Sequence, residues 1–141
     1  MIHFVGAGSG AVDLITVRGA KLLGEADVVI YAGSLVNPEL LNYCKEGCEI
    51  HNSATMTLEE VIAVIKEAED AGKITVRLHT GDSSIYGAVR EQFDELIELG
   101  IEYAFLAKEV AEKVLDMENC PYEASVNLVV TFSIFTNSLL V

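Results

Sequence analysis

The sequence predicts a three-layer α/β domain: a mainly parallel sheet of about five strands with helices on both faces. Three observations predict it. Short apolar runs alternate with amphipathic stretches along the 141 residues, and such a β-α-β-α order needs crossover connections and hence a mainly parallel sheet. Hydrophobic residues make up 51% of the chain, enough for one substantial core at this length. The amphipathic stretches also carry capping residues and terminating glycines, which mark helices rather than long loops.

IHFV (2–5) reads as the first strand and ends in GAGSG. Thr16 is placed to cap a helix through VRGAKLLGEA, with Val17, Ala20 and Leu23 on one face. DVVIYAG is the second strand. Asn37 and Pro38 then form a helix start, a capping side chain followed by a proline at the first helical position, with Leu40, Leu41 and Cys44 apolar. CEIHNS is a short extended piece. Thr57 and Glu60 form a capping box for a helix whose apolar side is Leu58, Val61, Ile62, Ile65 and Ala68, and Gly72 is placed to stop it. KITVRLHT is the next strand. Val89, Phe93, Leu96 and Ile97 mark a further helix ended by Gly100, and IEYAFLA follows as a strand. AKEVAEKVLDMEN reads as a helix broken by Pro121, and SVNLVVTFSIF as a closing strand.

Charge and cysteine usage narrow the partners. Nine basic against 22 acidic residues give a net charge of −13, a field that repels phosphate backbones and argues against nucleic acid. Cys44, Cys48 and Cys120 are odd in number, and MIHFVGAG lacks the features of a secretory signal, so a reducing cytoplasm is expected. The stretch 124–141 carries no charge and approaches the length of a membrane helix. Its Asn, Thr and Ser residues, its β-branched content and its lack of flanking Lys or Arg favour buried strand over a membrane span. As an apolar edge it would also favour self-association.

Right-handed crossovers bring the ends of IHFV, DVVIYAG and KITVRL to one rim of the sheet, where ligands bind in such folds. The three loops at that rim are GAGSG, AGSLVN and HTGDSS. GAGSGA (6–11) fits the dinucleotide pattern G-x-G-x-x-G/A. That reading needs a helix to begin at once and an acid at the end of the next strand, and neither is present. The glycines also read simply as a tight turn. In HTGDSSIYG, Gly81 allows close approach of a ligand, while Asp82 reads equally as an acceptor for ribose hydroxyls or as a cap for the following helix. His3, His51 and His79 read as structural histidines, and Cys44-x-x-x-Cys48 with His51 lacks the paired spacing of a metal site.

VGAGSG…LITVRGAKLLGEADVVIYAGSLVNPELL, MTLEEVIAVIKEA and VRLHTGDSSIYGAVREQFDELIELGI resemble the N-terminal half of the tetrapyrrole (corrin/porphyrin) methyltransferases over about residues 1–103, most closely the branch that methylates precorrin-4 or cobalt-precorrin-4 in cobalamin biosynthesis. The resemblance implies a two-domain α/β enzyme, usually a homodimer, with S-adenosylmethionine in the cleft and a tetrapyrrole as methyl acceptor. Carried over position by position, it implies donor binding by Ser9, Thr80, Gly81, Asp82 and Ile85, and places the loop Ser34, Leu35, Val36, Asn37 toward the tetrapyrrole. The family's first loop runs G-x-G-P-G-D-P. Here Ser9, Ala11 and Val12 stand for its first proline, aspartate and second proline, and Ser83 stands for the proline of G-D-P. These exchanges remove fixed-φ positions and one carboxylate.

The implied organisation is a family domain over 1–107 and an atypical helix-strand tail over 108–141, with the second family domain absent. The tail reads either as a cap on the sheet or as a remnant that packs poorly. Weak or no methyl transfer is expected of the isolated chain. The alternative reading is a non-catalytic α/β scaffold or binding module that keeps the sheet without the cleft.

Overall fold

A computed structural model describes residues 1–81 and 89–105. These fall in one compact unit, Met1–Ala104, with Phe105 beginning a second unit that runs to Val141. The tail expected over 108–141 lies outside the described residues, as do Asp82 and Ile85.

In chain order the elements are β1 (Ile2–Gly6), α1 (Val17–Glu25), β2 (Val28–Tyr31), β3 (Glu49–Asn52), α2 (Leu58–Asp70), β4 (Thr75–His79), α3 (Arg90–Glu98) and β5 (Tyr103–Phe105), with short 3-10 segments between them. The strands form one five-stranded sheet in the order β3-β2-β4-β1-β5. β2 pairs parallel with both β3 and β4, and β4 pairs parallel with β1. The parallel α/β architecture expected from the sequence is therefore present.

The order of strands dictates which helix covers which face. β1 to β2 and β2 to β3 step toward one edge of the sheet, whereas β3 to β4 and β4 to β5 step toward the other. With right-handed crossovers, opposite steps place their connections on opposite faces. Accordingly α1 packs beside the 3-10 segment Pro38–Tyr43, and α2 packs beside α3. Strand alternation then divides the core. Val5, Val29, Val76 and Leu78 meet Leu23 and Leu40 on the α1 face. On the other face Phe4 packs edge-on against Phe93 at 4.7 Å and against Tyr103 at 6.2 Å.

Helix ends follow local chemistry. The Thr16 hydroxyl accepts the Gly19 N–H, and Thr57 with Glu60 forms the complete capping box. After α2, Lys73 N–H reaches Ala68 O and Gly72 N–H reaches Glu69 O, with Gly72 at φ +65°. After α3, Ile101 and Gly100 make the same pair of bonds to Leu96 and Ile97. Both are Schellman stops, which need a left-handed residue at the glycine position.

Three details differ from the expectation. Val17 is 88% exposed, because it lies off the face of α1 that buries Gly19 and Leu23. In α3 Ile97 faces solvent while Gln92 is buried, so the inward stripe is Val89, Gln92, Leu96. The helix expected after Asn37 is a single 3-10 segment, capped by Asn37 as anticipated but too short to settle into α geometry.

Candidate functional site

The rim at the carboxyl ends of β1, β2 and β4 carries three loops that each contain glycine, after Gly6, Tyr31 and His79. β1 and β4 are neighbours, yet the chain leaves β1 for the α1 face and leaves β4 for the α3 face. Adjacent strands whose connections diverge in this way open a crevice between their loops, the usual ligand position in open α/β sheets.

Hydrogen bonding continues across this crevice beyond the strands. Ala7 N–H donates to His79 O at 2.7 Å, and Gly8 N–H donates to Gly81 O at 3.2 Å. Gly8 and Gly81 form an isolated antiparallel bridge. Gly8 sits at φ +72°, and a Cβ there would lie 2.7 Å from the Leu14 carbonyl oxygen. It is glycine because the loop folds back on itself at that point. Gly81, at φ +60°, has nothing among the described residues within 4 Å of where a Cβ would point. The helix that would complete a dinucleotide fingerprint starts only at Val17, after an intervening 3-10 turn over Val12–Leu14.

The residues singled out from the sequence fall into distinct situations. Ser9 is exposed at the tip of the first loop, and Thr80 is half-buried beside Gly81. In the loop after β2, Leu35 is 79% exposed. Val36, expected toward the tetrapyrrole, is instead 2% exposed and belongs to the core with Val5 and Leu40. The backbone at Val36 is extended, and its side chain packs into that core rather than at the surface. Asn37 is half-buried and uses both ends of its side chain: Oδ1 accepts from Glu39 N–H at 3.0 Å, and Nδ2 donates to Gly10 O at 2.8 Å. The structure therefore brings Ser9, Thr80 and Gly81 to one crevice and joins the Asn37 loop to it through Gly10.

Sequence reasoning missed the polar cluster beneath this rim. Arg77 in β4 is 5% exposed. Its Nε donates to Gln92 Oε1 at 3.1 Å, one terminal nitrogen to Ile30 O at 3.0 Å, and the other to Ser53 Oγ at 3.0 Å. Ser53 Oγ in turn donates to Tyr31 O at 3.0 Å. No carboxylate among the described residues pairs with Arg77, and burial draws its pKa down to about 10. The network ties the end of β2 to α3. A partial signal was available: an arginine inside the apolar run KITVRL, on a strand covered on both faces, has to find internal acceptors, though the sequence does not say which.

His79 follows on the same face, 6% exposed and stacked on Phe4 with centroids 6.2 Å apart. Its Nε2 has no hydrogen-bond partner among the described residues. Burial, assisted by the Arg77 charge, pushes its pKa down to about 4, so it is neutral at physiological pH. His51 lies elsewhere, on the edge strand, bonded to Glu49 at 2.8 Å. Cys44 and Cys48 pack against the α1-face core, and burial raises the Cys44 thiol to about 11, away from thiolate chemistry. Among the described residues no helix is long and apolar enough to cross a membrane.

Comparison with known proteins adds to this geometry. The model of the tetrapyrrole (corrin/porphyrin) methylases matches residues 1–107. The cobalt-precorrin-4 C(11)-methyltransferase of Methanocaldococcus jannaschii is 60% identical over 101 residues, which cover 72% of this chain and 39% of that relative. The chain thus spans well under half the length of this relative. The X-ray structure of a cobalamin biosynthetic enzyme, cobalt precorrin-4 methyltransferase, superposes with a TM-score of 0.72 at 41% identity, over 79% of this chain and 50% of that one. Uroporphyrin-III C-methyltransferase from Thermus thermophilus, complexed with S-adenyl homocysteine, superposes with a TM-score of 0.62 at 27% identity, over 74% and 43% of the two chains.

Proposed function

Because the chain belongs to the tetrapyrrole methylase family, we propose that residues 1–107 are the N-terminal domain of an S-adenosylmethionine-dependent C-methyltransferase. Its substrate is precorrin-4 or cobalt-precorrin-4, in cytoplasmic cobalamin biosynthesis. The observation that carries this reading is the 60% identity over 101 residues to the M. jannaschii enzyme. In support of a donor site between β1 and β4, no described residue lies within 4 Å of the Gly81 Cβ position, and the loops that carry Ser9 and Thr80 meet at the Gly8–Gly81 bridge. Thr80, Gly81, Asp82 and Ile85 hold the donor, with Asp82 accepting from ribose hydroxyls or an amino group. Ser9 borders it from the first loop. Ser34 and Leu35 face the tetrapyrrole, and Asn37 anchors their loop. When bound, the donor supplies an electrophilic methyl group for a ring carbon. The protein's part is to position donor and acceptor and to exclude water.

The 141-residue chain by itself has weak or no turnover. It spans 39% of the relative's length, and Ser9, Ala11, Val12 and Ser83 depart from the family's stiff loops. In the assembled enzyme a homodimer is expected. Isothermal titration with S-adenosylhomocysteine tests the donor site: micromolar binding that disappears in Asp82→Ala supports it. No binding by the unaltered chain would instead favour a non-catalytic scaffold or binding module. Full-rate methylation of cobalt-precorrin-4 by the 141 residues would sink the expectation of low activity.

A further inference from the structure

The loop after β1 is gripped from two sides. Toward β4 it bonds through Ala7 and Gly8 to His79 and Gly81. Toward the loop after β2 it bonds through the Gly10 carbonyl to Asn37 Nδ2 at 2.8 Å, and the Tyr43 hydroxyl approaches Val12 O at 3.5 Å. Gly10 and Asn37 are 27 residues apart in sequence, so their bond is tertiary rather than turn chemistry. Gly10, at φ +112°, has nothing among the described residues within 4 Å of a Cβ position. Its carbonyl bond to Asn37 is a tertiary contact that holds it. The cap on Glu39 N–H needs only an acceptor, which Asp, Ser or Thr would also supply. The bond to Gly10 needs a donor on the same side chain, and of the usual capping residues only the amide of Asn offers a separate donor and acceptor at that length.

We propose that Asn37 is a positioning residue: it clasps the first glycine loop and couples the loop facing the tetrapyrrole to the loop facing the donor. The functional meaning of the coupling rests on the methyltransferase reading, whereas the clasp itself does not. A shift of the 34–37 loop would move Gly10, and with it the Gly8–Gly81 bridge at the crevice. Donor affinity then depends on a side chain that need not touch the donor.

Two variants separate this from a capping role. Asn37→Asp keeps an acceptor for Glu39 N–H, at a helix start that tolerates negative charge, but sets a carboxylate against the Gly10 carbonyl. Asn37→Ser keeps a cap and loses the reach. The first measurement is amide hydrogen exchange on the unliganded 141-residue chain. Gly8 N–H should exchange up to about tenfold faster in both variants, with sheet amides such as Val29 unchanged. Unchanged Gly8 exchange, or equally faster exchange at Val29, would overturn the clasp. The second measurement is S-adenosylhomocysteine titration, where both variants should bind up to about tenfold more weakly. Unaltered affinity in both variants would overturn the coupling. Failure of the unsubstituted chain to bind would count against the donor-site reading, while the exchange comparison still decides the clasp.

Discussion

The two faces of the sheet are packed by different chemistry. Toward α1, the strands present Val5, Val29, Val76 and Leu78 to Leu23 and Leu40, and the buried cluster there is apolar. Toward α2 and α3, the same strands present Phe4 and Ile30 but also Thr75, Arg77 and His79, all buried. The split arises inside β4, whose sequence TVRLH alternates apolar and polar residues although both faces are covered. The α1 face needs only volume and shape. The α3 face must also satisfy a guanidinium, and it does so with the Ile30 carbonyl, Ser53 and Gln92. The difference teaches that bulk stability and fixing of strand ends are separate tasks here. Hydrocarbon serves the first, and a buried polar network just below the crevice serves the second.

Truncating one large buried side chain on each face is the severest way to break this comparison. Phe4→Ala should cost about 3–5 kcal/mol and Leu40→Ala about 2–5 kcal/mol in urea unfolding. Cavities on both faces should therefore be comparably damaging, and a tolerant α1 face would contradict its role as bulk core.

The next effect is confined to the α3 face. His79 is neutral when folded, with its pKa down to about 4 against 6.5 for the free side chain. Between those values the unfolded chain takes up a proton that the folded chain refuses. Stability is therefore fully present above about pH 6.5 and declines as pH falls toward about 4, by about 3 kcal/mol at most. His79→Leu should flatten that part of the pH profile relative to the unsubstituted chain. Parallel profiles would mean that the imidazole is charged or paired when folded.

A smaller change sharpens the network. Arg77→Met should lose about 2 kcal/mol by removing the donors to Gln92 Oε1, Ser53 Oγ and the Ile30 carbonyl. Gln92→Leu should then cost about 1 kcal/mol less in that background than alone, since the Arg77–Gln92 bond is lost only once. Simple additivity of the two losses would argue against a shared network. Thr57→Ala, which opens the capping box of α2, should cost only about 1 kcal/mol. A larger loss would show that the α3 face depends on where α2 begins.

Local signals in the sequence were legible wherever one residue type answers one geometric need. Thr16, Asn37 and Thr57 cap as their types suggest, and Gly72 and Gly100 stop helices because a left-handed turn follows each. The rim loops were legible too, since alternation plus right-handed connection leaves little choice of where strand ends lie. Less legible were the inward directions of individual side chains. Val17 and Ile97 looked like core and face water, and Val36 looked like a loop contact and fills the core. Periodicity names a stripe but not how far the opposing sheet extends beneath it.

The chain's own residues determined the α/β class, the helix limits and the glycine loops at one rim, because these follow from backbone preferences and hydrophobic period acting over short spans. Only the tertiary structure decided the order β3-β2-β4-β1-β5, and with it the divergence of chain at β1 and β4 that opens the crevice. It also decided that Asn37 reaches Gly10 and that Arg77 finds Gln92, Ile30 and Ser53. Those partners are 15 to 47 residues apart, and nothing in local propensity selects one distant acceptor over another. The choice is made when the strands pair and the buried donors must be satisfied where they stand.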